Sequence, residues 1–230
     1  MMIEAVHRYR WVILMVVWSS YAMAYFTRLS IPPLAPFIQA ELNLTRAQIG
    51  LFISATYLGY LVMQIPAGLL TESIGVRRML MIGQVVVGSF AAAISYATTF
   101  EGGLILLFFA GVGSGCLLPS TTKAIMYWFP VRERATVMGF KQTAVNLGGL
   151  AAAGVLPPLA VTLGWRYGMM VVGGVAIASA LVSFFPYRDF PAKLSSISSP
   201  VTSLGALCNV IANRQILLLS CIVTVFTAVE

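Results

Sequence analysis

Six long apolar stretches, set apart by short charged hinges, dominate the chain. Broken only by three cations, they run Trp11–Ala40, Ala47–Thr71, Met79–Phe100, Gly102–Val131, Ala135–Trp165 and Tyr167–Tyr187. Each holds at least 21 residues, and about 20 residues at 1.5 Å rise cross the hydrocarbon of a bilayer. Lipid-facing backbone must satisfy its own hydrogen bonds, so these lengths predict six membrane-spanning helices. Beyond them the pattern changes. Residues 188–214 mix charges with Pro191, Pro200 and the serine-rich Ser195–Ser199, and read as a linker. A seventh apolar run begins at Gln215 and reaches Glu230 after 15 uncharged residues, too short to cross comfortably. The expected organisation is a six-helix unit over 1–187, a cytoplasmic linker over 188–214 and the start of a seventh span over 215–230, in a fragment of a longer protein.

Composition strengthens the membrane reading: 59% of residues are hydrophobic, 9% are charged and mean hydropathy is +0.91, whereas a soluble chain is about a quarter charged. The net charge of +7 does not signal nucleic acid, because the basic residues are divided by side. With the N-terminus in the cytoplasm, the inside segments hold Arg8, Arg10, Arg77, Arg78, Arg132, Arg134, Arg188, Lys193 and Arg214, and the outside loops only Arg46 and Arg166. Nine against two obeys the positive-inside rule and places both ends of the six-span unit in the cytoplasm. A secretory signal ending at Ala22-Met23-Ala24 is rejected, since the first run continues to Ala40. Cys116, Cys208 and Cys221 form no disulfide or metal pattern and read as apolar filler.

An internal repeat points to a transport architecture. A shift of 89 residues superposes Gly50 on Gly139, Ala55 on Ala144, Leu58 on Leu147, Gly59 on Gly148, Leu61 on Leu150, Gly75 on Gly164 and Arg77 on Arg166. Span two then resembles span five and runs the opposite way, the signature of inverted three-helix repeats with a site between them. Small residues (Gly111, Gly113 and Gly115 in span four; Gly148, Gly149, Ala152 and Ala153 in span five) allow close helix approach. Pro32, Pro33, Pro36, Pro119, Pro157 and Pro158 are expected to kink or end helices.

Three ionisable side chains lie within the spans, all cationic: Arg28, Lys123 and Lys141. The acidic residues Glu4, Glu41, Glu72, Glu101, Glu133, Asp189 and Glu230 fall in the N-terminal segment, between spans or at the last residue. A charge at mid-bilayer costs roughly 2.5–3.5 kcal/mol on insertion scales, so unpaired cations there imply an anionic ligand. Arg28 sits 17 residues beyond Trp11, about 26 Å along the helix and too deep for easy snorkelling; it is the prime candidate for a fork gripping an anion. Lys123 and Lys141, each about 10 Å inside the cytoplasmic end, are candidates for an electropositive vestibule, although a lysine at that depth can also bend toward headgroups. Tyr25, Tyr57, Tyr60, Gln64, Gln142 and Asn146 are polar groups able to line the same cavity, Gln142 and Asn146 on one face and Gln142 best placed beside Lys141. His7 lies in the N-terminal segment, and there is no intramembrane carboxylate pair, phosphate-binding loop or metal cluster in the sequence, so neither an enzyme, a metal nor a cofactor is expected.

Between spans two and three runs Gly68-Leu69-Leu70-Thr71-Glu72-Ser73-Ile74-Gly75-Val76-Arg77-Arg78. Glu72 is expected to cap a short helical turn, Gly75 to take a positive φ, and Arg77 and Arg78 to anchor at the phosphate interface. The spacing resembles the signature loop Gly-x-Leu-Ala-Asp-Arg-x-Gly-Arg-Lys of the major facilitator superfamily. Gly68, Leu70, Gly75 and Arg77 match and Glu72 replaces Asp, whereas Thr71, Ser73 and Val76 depart from it. Tyr25-Phe26-Thr27-Arg28 and Gln64-Ile65-Pro66-Ala67-Gly68 resemble the anion:cation symporters, and Phe129–Ala135 followed by Gly139-Phe140-Lys141-Gln142-Thr143 resembles bacterial nitrate- and cyanate-type permeases. Leu107 stands where many proton-coupled members carry Arg, and Gly148-Gly149 lacks the preceding Gly-Pro of drug antiporters.

The resemblance implies an all-α membrane protein, the six-helix N-terminal half of a twelve-helix fold, lodged in the plasma membrane and monomeric at full length. It implies a secondary transporter of a small anionic solute by alternating access, with Arg28 in the position of a substrate-binding Arg. Gly68, Glu72, Gly75, Arg77 and Arg78 then belong to a cytoplasmic gate. The partners are the solute, the lipid bilayer and a C-terminal six-helix half, without which residues 1–230 are expected not to transport. Two alternatives stay open: an exporter of neutral or hydrophobic compounds on the same fold, and a truncated half without transport activity.

Overall fold

The computed structural model describes residues 2–187, with side chains from Tyr9 onward. The expected linker and seventh apolar run, with Arg188, Lys193, Arg214, Cys208 and Cys221, lie outside the described residues. Among the described residues, eight α-helices build six spans: α1 (Met2–Arg28) with α2 (Ile31–Leu42), α3 (Arg46–Ile74), α4 (Val76–Ala93), α5 (Phe100–Gly115) with α6 (Leu117–Trp128), α7 (Val131–Leu163) and α8 (Trp165–Phe184). All six are long and apolar enough to cross a membrane.

Spans one and four are each broken, and proline chemistry places both breaks. A proline ring clashes with the carbonyl four residues earlier and leaves it without a donor. Pro32 and Pro33 therefore disrupt the turn at Arg28 and Leu29, and the chain restarts as α2 with Pro in its first turn, where no donor is needed. Pro119 acts likewise on Gly115, where α5 ends and α6 begins after Cys116. Pro157 and Pro158, by contrast, do not end α7, which continues to Leu163.

The inverted repeat is visible in the packing. α3 lies along α5 and α1 along α7, the two equivalent span pairs, while α4 packs on its own counterpart α8. Close backbone approach fixes the crossings. A Cβ on Gly59 would fall 2.0 Å from the Phe108 carbonyl oxygen, and one on its counterpart Gly148 would fall 2.4 Å from that of Ala22. Gly75 (φ 86°, ψ 158°) and Gly164 (φ 85°, ψ 153°) make the same turn before α4 and α8, a conformation that side chains with a Cβ disfavour.

Arg77 and Arg166, two residues past these glycines, brace opposite ends of the bundle. Arg77 Nε donates to the Phe184 carbonyl at 2.8 Å, a cation at a helix C-terminus. Arg166 Nε donates to Glu41 Oε1 at 2.6 Å and Trp165 Nε1 to Glu41 Oε2 at 2.6 Å. Glu72 does not cap a turn as expected. No breaker lies between Leu69 and Ile74, so α3 runs on to Gly75 and Glu72 occupies its last turn.

Candidate functional site

Arg28 ends α1 at the break of span one, where the helix axis is interrupted inside the bundle. It is 7% exposed. Its Nη2 donates to Ser114 Oγ at 2.7 Å, one residue from the end of α5 and so next to the break of span four. The guanidinium lies 3.7 Å from the Tyr60 ring centre, 4.8 Å from that of Tyr25 and 5.6 Å from that of Tyr57. No carboxylate lies within ion-pair distance of it among the described residues. Its Nε has no hydrogen-bond partner, and a small, largely apolar cavity, lined by Ile31, Val87, Ala91 and Leu107 as well as Thr56 and Ser114, adjoins it. Arginine is weakly hydrated and stacks on aromatic faces, and a desolvated cation–π contact contributes up to about 2 kcal/mol. Three tyrosines thus surround the charge without neutralising it.

The other two cations part company. Lys123, expected to lack an acidic partner, has one: its Nζ lies 2.9 Å from Glu72 Oε1. The extension of α3 past the end of its uncharged run at Thr71 brings Glu72 opposite α6, and the pair lines an open groove with Gln64, Gly68 and Thr122. Lys141 is 3% exposed and points into the bundle, Nζ 3.3 Å from Thr122 Oγ1 and 4.4 Å from the Tyr21 ring centre. Its sequence neighbour Gln142 does not accompany it. Successive helical positions are about 100° apart, so Gln142 and Asn146 share an exposed face while Lys141 is buried. Tyr25, Tyr57 and Tyr60 are gathered at Arg28, whereas Gln64 belongs with the Lys123–Glu72 groove. In the loop, Arg78 is exposed and Arg77 half-buried against Phe184.

Ser114 was not anticipated. The signal that could have found it is its place inside Gly111-x-Gly113-Ser114-Gly115, the one hydroxyl in a run otherwise suited to close approach. Tyr60, a candidate from its place in span two, is the ring nearest Arg28.

The bundle is thus a pair of inverted three-helix repeats with a buried cation, Arg28, where two helix breaks meet. The Major Facilitator Superfamily profile matches residues 17–229, and the chain belongs to that family. It is 32% identical over 190 residues to the protein named "Probable sulfoacetate transporter SauU" of Cupriavidus necator, covering 83% of this chain and 44% of that one. It is 33% identical over 194 residues to the membrane sensor protein UhpC of Salmonella typhimurium (82% and 43%). To the hexuronate transporter of Bacillus subtilis it is 28% identical over 167 residues (73% and 40%). Among solved structures, a bacterial homolog of the human lysosomal transporter Spinster, inward-facing and unoccupied, has the same fold, with a TM-score of 0.71 at 21% identity, covering 80% of this chain and 44% of that one. The chain therefore spans less than half the length of these relatives.

Proposed function

We propose that this chain forms the N-terminal half, over 1–187, of a secondary transporter that moves small organic anions by alternating access. The observation that carries the reading is Arg28: buried, bonded to Ser114, faced by three tyrosines and without a carboxylate among the described residues. An unpaired charge in hydrocarbon is retained where a ligand supplies the opposite charge. The names of two relatives, a sulfoacetate and a hexuronate transporter, support an organic anion over an inorganic one. In this reading residues 188–214 link the half to a second six-helix half beginning near 215, and cargo binds between the halves. Tyr25, Tyr57 and Tyr60 preorient Arg28; Gln64, Gln142 and Asn146 contact other parts of the cargo. Gly68, Glu72, Gly75, Arg77 and Arg78 form the gate, with Lys123 joined to it through Glu72. The protein works as a monomer in the plasma membrane, N-terminus inside, as the distribution of Lys and Arg favours.

The test is uptake into proteoliposomes by the full-length protein. A carboxylate is expected to enter at least tenfold faster than its neutral amide, and Arg28→Ala to abolish that advantage. Equal anion uptake by the variant would reject the assignment. A second reading, a sensor that binds an anion without carrying it, is favoured by the likeness to UhpC; anion binding without uptake would select it.

A further inference from the structure

Lys141 is the second buried cation left without a counter-charge. It lies ten residues into α7, about 15 Å along the axis, and its ammonium is directed inward, not up toward headgroups. The groups that face it are the Tyr21 ring of α1 and the Thr122 hydroxyl of α6, and no carboxylate lies within ion-pair distance among the described residues. Lys123, one residue from Thr122, is already paired with Glu72 and offers no free positive charge to a ligand.

The two uncompensated cations are joined by one pair of rings. Tyr21 meets Tyr25 edge-on with centres 5.1 Å apart. Lys141 lies 4.4 Å from the first ring and Arg28 4.8 Å from the second. Tyr21 and Arg28 are seven residues apart on α1, about 10 Å along the helix. A single anionic group at Arg28 would leave Lys141 as uncompensated as before. A molecule with a negative group at each end satisfies both.

We infer that Lys141 is the second anion ligand of the Arg28 site and that the preferred cargo is a short dianion charged at opposite ends. The inference rests on the anion-carrier reading above and narrows its substrate class. The two cations flank a ring pair whose centres are 5.1 Å apart, so a short dicarboxylate or its sulfonate equivalent, held by a charge-assisted hydrogen bond at each end, is the class of molecule that meets both. The two ends are recognised differently. Arg28 presents a planar fork that selects a carboxylate-like pair of oxygens, while Lys141 is a compact charge that accepts either a carboxylate or a sulfonate.

The experiment is uptake of succinate and butyrate by the full-length protein in proteoliposomes, in the wild type, Lys141→Met and Lys141→Arg. Succinate is expected to be preferred at least tenfold by the wild type. Lys141→Met should lose that preference, and Lys141→Arg should keep most of it. A wild-type preference for butyrate, or an unchanged ratio in Lys141→Met, would overturn the second-ligand role and leave anion transport through Arg28 standing. If Lys141→Met does not fold, the wild-type ratio and Lys141→Arg still decide. Uptake of neither anion by the wild type would overturn the anion reading itself.

Discussion

At the residue scale, the proposed anion site depends on how one guanidinium is held. Tyr60 is its nearest ring, 3.7 Å from the guanidinium carbon, and a desolvated cation–π contact of up to about 2 kcal/mol corresponds to roughly thirtyfold in an equilibrium. The ring, not the hydroxyl, supplies it. Tyr60→Phe should therefore keep the anion KM within threefold of wild type, and Tyr60→Leu should raise it about tenfold or more, as read by uptake kinetics. Equal effects of the two changes would mean that the ring does not orient Arg28. Ser114 works with Tyr60 from the other side, and its 2.7 Å bond fixes one of the two terminal nitrogens.

At the element scale, the bundle is set by where backbones touch. A Cβ on Gly111 would lie 2.1 Å from the Thr56 carbonyl oxygen, whereas one on Gly139 meets nothing within 4 Å. Overpacking costs typically 1–3 kcal/mol, while Ala in place of a helical Gly gains up to about 1 kcal/mol when space allows. Gly111→Ala should thus lower the melting temperature of the full-length protein in detergent by several degrees, and Gly139→Ala should leave it level or raise it. A similar loss at both positions would contradict the packing described. Much of this level was legible in the chain. Uncharged runs gave the six spans, and the 89-residue shift gave the repeat that Gly75 and Gly164 carry into matching turns. What run-counting misplaced was Glu72. A helix does not stop where its uncharged run stops, so an acid read as a loop residue sits in α3 and neutralises Lys123. That pairing joins residues 51 apart in sequence, and no local pattern encodes it.

At the scale of the whole molecule, the two repeats differ in a way that symmetry alone does not explain. Span one ends its first helix in a cation, while the equivalent break in span four offers a serine, and the two meet. The repeat supplies the paired breaks; the asymmetric side chains supply a site. Arg28 was recognisable from sequence because hydrocarbon makes any charge conspicuous. Its tyrosine setting and the separation of Lys141 from Gln142 were not, since each depends on which helix faces which. If Arg28 binds the cargo's anionic group as proposed, calorimetric titration of the full-length protein with a transported carboxylate reads that contact apart from the steps of uptake. Arg28→Gln, which keeps hydrogen-bonding capacity but not charge, should raise Kd at least 100-fold, about 2.7 kcal/mol, with little change in melting temperature. An unaltered Kd in that variant would contradict the account.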